Sequence, residues 1–207
     1  MPPFTVLHVC MGNICRSPMA ERLLRLAVRE RAAALVGSAG GGSTPGDDLL
    51  HSHSAGTGGW HAGEEMNPPA ARQLLGRGGD DAGFAARKLR SEHIDGADLV
   101  LTATADQQEY VTALRPDAAA RTFVLGEFGR LLAGVDAAAL PPAGADPESV
   151  YARGVALVEA VEATRGDTAA LPGDELDDPW GRGDQCFSRV ADEIEETVRP
   201  LAALLLP

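Results

Sequence analysis

A short apolar run near the N-terminus ends in a glycine-containing turn, and a helical pattern follows that turn at once. Residues Phe4–Cys10 (FTVLHVC) are apolar and rich in β-branched side chains, which indicates a strand buried on both faces. From Ser17 onward, apolar residues recur at spacings of three and four, and Pro18 suits the first turn of a helix. Because strand, tight turn and helix in this order form the first half of a βαβ unit, the chain is predicted to be an α/β protein.

The rest of the chain alternates between strand patterns and helix patterns, which favours a parallel sheet. Further buried strands are predicted at 98–103 and 121–125. Further helices are predicted at 68–75 after an Asn67 N-cap, at 106–114, at 127–132, from 147 after an Asp146 N-cap, and from about 188. Surface loops are predicted at 37–48, which is rich in Gly and Ser, and at 164–176.

Composition excludes several classes of protein and of partner. With 44% hydrophobic and 23% charged residues, the 207-residue chain is typical of one globular domain. A net charge of -12 disfavours nucleic acid, since phosphate backbones are bound by clustered Lys and Arg. No apolar stretch reaches membrane-spanning length, and three cysteines are too few for a secreted disulfide framework. We therefore expect a cytoplasmic protein, a monomer, without a membrane or nucleic-acid partner.

The loop between the first strand and the first helix, Cys10–Ser17 (CMGNICRS), has the composition of an anion cradle. A loop that closes onto a helix N-terminus directs backbone N–H groups inward and adds the positive end of the helix dipole. The same field favours the thiolate of Cys10, which predicts a nucleophile at neutral pH. Arg16 can form two parallel hydrogen bonds to phosphate oxygens, and Ser17 can donate to the sulfur. Gly12 and Asn13 tolerate a left-handed backbone.

In these residues the chain resembles the low-molecular-weight protein tyrosine phosphatases. Their signature is a strand, then Cys-x-Gly-Asn-x-Cys-Arg-Ser-Pro, then a helix, and this chain has that signature at Cys10–Pro18. Further matching segments are Ser54–Thr57 followed by Trp60-His61, then Ala86-Arg87, Ala97–Leu101 and Asp178-Pro179-Trp180. The resemblance spans nearly the whole chain.

The resemblance implies a fold and a site. It implies one domain with a four-stranded parallel sheet flanked by helices, insertions near 37–50 and 133–175, and an active site at the carboxyl end of the first strand. Cys10 is then the nucleophile, Arg16 binds the phosphate, and no metal or cofactor is needed. The residues expected to contact the substrate, a phosphotyrosine-containing protein or a small aryl phosphate, are Met11, Gly12, Asn13, Ile14, Cys15, Ser17, Trp60 and Trp180.

Expulsion of a phenolate from phosphorus needs an acid, and the chain offers three aspartates for this role. The resemblance assigns it to Asp178, which Pro179 and Trp180 follow, and the same carboxylate then acts as base on a water molecule. Asp177 is the adjacent alternative. Asp146 also precedes a proline, but its pattern is that of a helix N-cap.

Other polar residues have two interpretations each. By resemblance Cys15 forms a reversible disulfide with Cys10, and otherwise it is a small buried side chain. His8 either tunes the thiolate or is a hydrogen-bonded core histidine. The pair His51 and His53 has metal-ligand spacing without supporting ligands nearby, which favours a solvated loop. Cys186 is expected to contribute packing.

Departures from the family pattern keep other functions open. We call Cys10–Ser17 the phosphate loop. Many relatives support this loop with a His in a His-x-Ala-Arg context, where this chain has Phe84, so the support must come from elsewhere. Protein-arginine phosphatases tend to have Thr at the position of Ile14, whose branched side chain would crowd a guanidinium. Arsenate reductases need a further cysteine pair and lack the late acid. A catalytically silent phosphopeptide-binding module is the fourth alternative.

Overall fold

Four parallel strands form one sheet in the computed structural model, which describes residues 2–39 and 46–207. The strands are β1 (Phe4–Cys10), β2 (Leu50–Gly56), β3 (Leu99–Thr102) and β4 (Thr122–Val124). Their order is β2-β1-β3-β4, with every neighbouring pair parallel. The expected α/β class and four-stranded parallel sheet are therefore confirmed.

Eight α-helices are assigned within the described residues. They are α1 (Arg16–Ala39), α2 (Gly46–Leu49), α3 (Pro68–Gly76), α4 (Ser91–Asp95), α5 (Ala105–Leu114), α6 (Leu125–Leu132), α7 (Pro147–Arg165) and α8 (Asp184–Leu205). Short 3-10 helices occupy Pro116–Arg121, Ala137–Ala139 and Pro172–Asp174. None of the described helices combines the length and the hydropathy that are needed to cross a bilayer.

The predicted surface loop at 37–48 is wrong at both of its ends. Helix α1 continues to Ala39, and α2 begins at Gly46; the middle of the predicted loop, 40–45, lies outside the described residues. The predicted cap of α7 is confirmed, because the Asp146 carboxylate accepts a hydrogen bond from the Ser149 backbone N–H at 3.0 Å. Asn67 precedes α3 as predicted but makes no capping hydrogen bond with its side chain.

Side chains of β1 alternate between two cores. Leu7 and Val9 pack with Ile94 of α4 and Val111 of α5 on one face of the sheet. On the other face, Phe4, Val6 and Cys10 belong to the larger core, to which α1, α6, α7 and α8 contribute. Burial of both faces explains why β1 is apolar at nearly every position.

Strand β2 was not predicted, and the solvated loop expected at His51 and His53 is wrong. Ser52 and Ser54 are buried, and their hydroxyl groups donate to the backbone carbonyl and the carboxylate of Glu21. Because buried hydroxyls replace the usual apolar residues, the segment lacks the hydrophobic pattern of a strand.

The carboxyl ends of β1 and β2 bring the predicted site together. Cys10 is paired with Gly56 at the end of both strands. The Thr57 and Gly58 N–H groups then donate to the carbonyl groups of Cys10 and Met11 at 3.0 and 2.9 Å. A Cβ atom at Gly56 would lie 2.7 Å from the Met11 carbonyl oxygen, so only glycine allows this close approach.

Candidate active site

The sulfur of Cys10 lies within the loop that joins β1 to α1. The Asn13 backbone N–H donates to this sulfur at 3.3 Å, and the Ser17 hydroxyl lies 2.9 Å from it. The cysteine itself is buried, at the N-terminal end of α1, which begins at Arg16. Hydrogen-bond donors and the N-terminus of α1 therefore surround the sulfur, an arrangement that can bind an anion.

Asn13 supplies the backbone conformation and the side-chain contacts that hold the loop. Its φ angle of 56° is left-handed, whereas Gly12, expected to share that conformation, has no positive φ. Its side-chain amide donates to the Ser17 and Ser54 hydroxyls, both at 2.9 Å, and its carbonyl accepts from the Arg87 backbone N–H at 2.8 Å. Because Ser17 accepts from Asn13, its own hydrogen is free to point at the sulfur.

Glu21 completes the support that Phe84 does not supply. The Ser54 hydroxyl, which accepts from Asn13, donates to a carboxylate oxygen of Glu21 at 2.6 Å. The sequence interpretation missed Glu21, although a signal was present: Ser17 and Glu21 are four residues apart on α1, so they lie on the same helix face beneath the loop.

Arg16 is buried beside the loop, with its guanidinium between two segments of the chain. Its Nη1 donates to the Leu176 carbonyl at 3.1 Å, and its Nη2 lies 3.3 Å from a carboxylate oxygen of Asp178. Its Nε has no hydrogen-bond partner in the described part of the chain. A buried N–H group without a partner costs free energy, and an anion bound at the guanidinium would accept a hydrogen bond from it.

A cavity of about 310 Å³ opens at this loop and collects most of the predicted site residues. Its lining comprises Cys10, Met11, Gly12, Ile14, Cys15, Arg16, Trp60, His61, Asp178 and Trp180. The side chains of Asn13 and Ser17, which were expected to contact the substrate, are buried and support the loop. No residue of 133–175 lines the cavity, so this part of the chain leaves the opening free.

Two exposed tryptophans and one histidine form the rim. Trp60 and Trp180 are 64% and 56% exposed, which excludes an interior position for Trp60. The His61 ring lies between them, with centroid distances of 6.2 Å to Trp60 and 5.8 Å to Trp180, and its Nδ1 lies 2.8 Å from a Glu64 carboxylate oxygen. The sequence interpretation gave His61 no role, although it follows Trp60 directly. The rim offers flat apolar surfaces to an aromatic ring.

The three candidate aspartates lie in different surroundings. Asp178 lines the cavity and contacts Arg16. The Asp177 carboxylate instead contacts Arg189 at 2.7 Å and Arg182 at 3.5 Å, and the hydrogen bond from Arg189 lowers the pKa of Asp177. Asp146 caps α7 and lines no part of the cavity. The geometry therefore favours Asp178 as the acid.

The segment that carries Asp178 is anchored on both sides of the cavity. The Glu175 carboxylate accepts from the Ala105 backbone N–H at 2.8 Å, at the start of α5. The Leu176 N–H donates to the Ala103 carbonyl at 2.9 Å, and its own carbonyl accepts from Arg16. We call residues 175–182 the acid loop. Its first residues are thus tied to the end of β3 and to the phosphate loop.

The remaining candidates lie in surroundings that favour the neutral forms of Cys15 and His8. Burial, with nearby Cys10 and Asp178, raises the pKa of Cys15 to about 12, so its thiol stays protonated at neutral pH. Burial lowers the pKa of His8 to about 3, and its Nε2 lies 3.1 Å from the Ser52 hydroxyl, as for a core histidine. Cys186 packs against the core. No cluster suited to a metal ion occurs among the residues that the structure describes.

Sequence comparison finds relatives for most of the chain. Residues 5–162 match the family model described as "Low molecular weight phosphotyrosine protein phosphatase". A "Low molecular weight protein-tyrosine-phosphatase" of Streptomyces coelicolor is 35% identical over 135 residues, 64% of this chain and 74% of the relative. A "Protein-arginine-phosphatase" of Geobacillus stearothermophilus is 31% identical over 150 residues, 72% of this chain and 84% of the relative.

Structural comparison extends the similarity to the C-terminal part. Vibrio vulnificus Wzb in complex with benzylphosphonate superposes with a TM-score of 0.62 at 18% identity, covering 97% of both chains. The YwlE arginine phosphatase from Geobacillus stearothermophilus gives a TM-score of 0.61 at 25% identity, covering 97% of this chain and 92% of that one. The family model ends before the acid loop, so the similarity in that region is one of fold.

Proposed function

The chain belongs to the low molecular weight phosphotyrosine protein phosphatase family, and from this premise we propose that it hydrolyses phosphotyrosine in proteins, or small aryl phosphates, through a cysteinyl-phosphate intermediate. The observation that carries this proposal is the single cavity lined by Cys10, Arg16 and Asp178. A nucleophile, a phosphate-binding cation and an acid are thereby directed at one volume.

In the first step, the Cys10 thiolate attacks phosphorus, and the bond from phosphorus to the phenolic oxygen breaks. The loop amides and Arg16 hold the phosphoryl oxygens, while Asp178 donates its proton to the leaving oxygen. Arg16 and Asp178 are in contact in the free protein. An arriving phosphate replaces the carboxylate as the anionic partner of Arg16, which leaves Asp178 free to carry the proton.

In the second step, Asp178 accepts a proton from water, and the water oxygen attacks phosphorus and releases the Cys10 sulfur. The Ser17 hydroxyl, 2.9 Å from the sulfur, stabilises the thiolate that departs. The products are inorganic phosphate and the regenerated thiolate. No metal ion takes part in either step of this proposal.

Phosphotyrosine is favoured over phosphoarginine by the cavity wall. Ile14 lines the cavity with a branched apolar side chain, and Trp60 and Trp180 offer two flat rings at its rim. An aryl ring packs against such surfaces, whereas a guanidinium needs hydrogen-bond acceptors. Phosphoarginine remains the second candidate because the 31% identical relative from Geobacillus stearothermophilus is named a protein-arginine-phosphatase.

Arsenate reduction and silent phosphopeptide binding are less well supported. The chain has three cysteines, of which Cys186 on α8 lies beside Arg189 and does not line the cavity, so no further cysteine pair is available there. The acid in the cavity favours hydrolysis over binding alone.

Hydrolysis needs a reduced thiol, so we also propose that the protein acts in a reducing compartment such as the cytoplasm. We further propose that it is a monomer and that it forms one domain, with insertions near 37–50 and 133–175.

Turnover of para-nitrophenyl phosphate, a phosphotyrosine peptide and a phosphoarginine peptide tests the proposal. We expect the first two to be hydrolysed, with Cys10→Ser reducing kcat at least about 10⁴-fold. Cys15→Ser is the matched control in the same loop and should retain most activity. Full activity of Cys10→Ser would refute the mechanism, and a preference for phosphoarginine would move the substrate assignment to the second candidate.

A further inference from the structure

Asp178 needs a second source of positioning, because its contact with Arg16 ends when phosphate binds. The carboxylate is about half exposed, and it lies 3.3 Å from the Arg16 guanidinium in the free protein. In the proposed mechanism an arriving phosphate replaces that pair, so the position of the acid then depends on the residues around it in the chain. Asp174, the last residue of the 3-10 helix before the acid loop, is the buried carboxylate among them.

Asp174 forms a two-bond ion pair with Arg130 of α6. The Arg130 Nε donates to one carboxylate oxygen at 3.0 Å, and its Nη2 donates to the other at 2.7 Å. The second oxygen also accepts from the Leu171 backbone N–H at 2.7 Å. Asp174 is only 6% exposed, and the hydrogen bonds from Arg130 lower its pKa, so it stays ionised. Two parallel bonds to a buried carboxylate fix its direction as well as its distance.

Gly126 allows the backbone of Asp174 to approach α6 directly. A Cβ atom at position 126 would lie 2.5 Å from the Asp174 carbonyl oxygen and 2.9 Å from its Cα atom. Gly126 and Arg130 are four residues apart, so they lie on the same side of the helix. Helix α6 therefore contacts both the backbone and the side chain of Asp174.

Helix α6 is itself fixed to the sheet and to α8. It begins at Leu125, directly after β4 ends at Val124, and the buried Glu127 carboxylate accepts from the Val124 backbone N–H at 3.1 Å. The Thr197 hydroxyl of α8 donates to the Leu125 carbonyl at 3.3 Å. The core thus sets the position of the helix, and the helix sets the position of the segment that it contacts.

From Asp174 the chain reaches the active-site cavity within four residues. The Leu176 N–H donates to the Ala103 carbonyl at 2.9 Å, and the Leu176 carbonyl accepts from Arg16 at 3.1 Å. Asp178 follows two residues later and lines the cavity. A displacement of Asp174 therefore displaces the start of the acid loop relative to the phosphate loop.

We propose that Asp174, held by Arg130 and Gly126 of α6, is a positioning residue that places the carboxyl group of Asp178 at the leaving oxygen. This role rests on the proposed function and lies outside the active-site cavity, which none of the three supporting residues lines. An acid must be within hydrogen-bond reach of the oxygen that it protonates, and misplacement by about 1 Å can cost about 10²-fold in rate. Loss of the pair should therefore impair proton donation more than phosphate binding.

Replacement of Arg130 tests the ion pair through the leaving group. Arg130→Gln should lower kcat/KM about tenfold for phenyl phosphate and about twofold for para-nitrophenyl phosphate, whose phenolate needs less help from an acid. Inhibition by inorganic phosphate should change less than about twofold, because the phosphate loop is intact. Arg115→Gln is the matched control, since Arg115 forms the same two-bond pair with Asp95 away from the acid loop. It should leave the ratio of the two kcat/KM values unchanged.

Two glycines of α6 provide a second test that removes no charge. Gly126→Ala should displace the Asp174 backbone and cause the same substrate-dependent loss. Gly129→Ala is its matched control on the same helix, because a Cβ atom there would meet the Thr197 side chain of α8 instead. Both variants add a methyl group at a crowded position and should lose stability. The ratio of kcat/KM for phenyl phosphate to kcat/KM for para-nitrophenyl phosphate should fall only in Gly126→Ala.

Fluorescence of Trp180 reports the position of the acid loop without turnover. The chain has two tryptophans, so in a Trp60→Phe background the emission comes from Trp180 alone. Trp180 lies two residues after Asp178 in the acid loop. The Arg130 and Gly126 variants should shift its emission maximum, whereas the two control variants should leave it unchanged.

Two results would overturn the proposal. The first is activity of folded Arg130→Gln and Gly126→Ala that is unchanged, or reduced equally for both substrates, which would leave Asp174 a role in stability alone. The second is a substrate ratio that the two variants and their controls change alike. If Arg130→Gln does not fold, Arg130→Lys, which keeps the charge but loses the paired geometry, takes its place. Absence of wild-type turnover, with the Trp180 shifts present, would instead refute the proposed function and leave the contact of α6 with the acid loop.

Discussion

The phosphate loop and the acid loop line the same cavity but are held by different forces. In the phosphate loop, Asn13 and Ser17 are buried, and their hydrogen bonds converge on the Cys10 sulfur from within eight residues. In the acid loop, Asp177 and Asp178 are about half exposed, and both contact arginines on other elements. The phosphate loop is thus held by buried hydrogen bonds, whereas the two carboxylates of the acid loop are held by ion pairs in which they stay about half exposed.

Substitution of each of the two adjacent aspartates in turn tests this difference with the largest expected effect on activity. Asp178→Asn should lower kcat/KM for phenyl phosphate by about 10²- to 10⁴-fold, since the leaving oxygen then departs without a proton. The loss should be smaller for para-nitrophenyl phosphate, whose phenolate is a better leaving group. Steady-state kinetics with both substrates measures the ratio.

Asp177→Asn is the matched control, because it removes one carboxylate from the same loop outside the cavity. It should change the ratio of kcat/KM for phenyl phosphate to kcat/KM for para-nitrophenyl phosphate only slightly. If Asp177→Asn shows the larger, leaving-group-dependent loss and Asp178→Asn does not, the acid has been assigned to the wrong residue.

The same contrast explains how far the sequence could predict the site. Cys10 and Arg16 were predictable because a strand, a turn and a helix that follow one another fix their geometry locally. The resemblance favoured Asp178, but Asp177 stayed an alternative because the contacts that distinguish the two, with the cavity and Arg16 or with Arg189, involve residues distant in sequence. Strand β2 was missed for a related reason: its buried serines are satisfied by distant partners, and periodicity does not reveal such partners.

Substitution of Asn13 separates the two ways in which this residue holds the phosphate loop. Asn13→Gly keeps the left-handed backbone but loses the hydrogen bonds to Ser17, Ser54 and Arg87, and should lower the free energy of unfolding by about 1–3 kcal/mol. Asn13→Ala loses the same bonds and adds backbone strain, which should cost about 1 kcal/mol more after the entropy of glycine in the unfolded chain is counted. Urea denaturation measures both variants. Equal stability of the two would show that the strain of alanine at a φ of 56° is no larger than the entropic cost of glycine.

Arg189 gives the smallest expected effect and tests whether exposed ion pairs position the acid. Its Nη2 donates to Asp177 at 2.7 Å, while its Nη1 donates to Glu193. Because exposed ion pairs contribute little, Arg189→Gln should lower kcat/KM for phenyl phosphate by no more than about 5-fold, with less effect on para-nitrophenyl phosphate.

Glu193→Gln is the control for Arg189→Gln, since it removes the other ion pair of Arg189 and leaves the contact with Asp177. It should leave both substrates unaffected. High salt screens the pair between Arg189 and Asp177, so the difference between wild type and Arg189→Gln should shrink as ionic strength rises. A loss that is equal for both substrates and insensitive to salt would mean that Arg189 stabilises α8 and does not position Asp178.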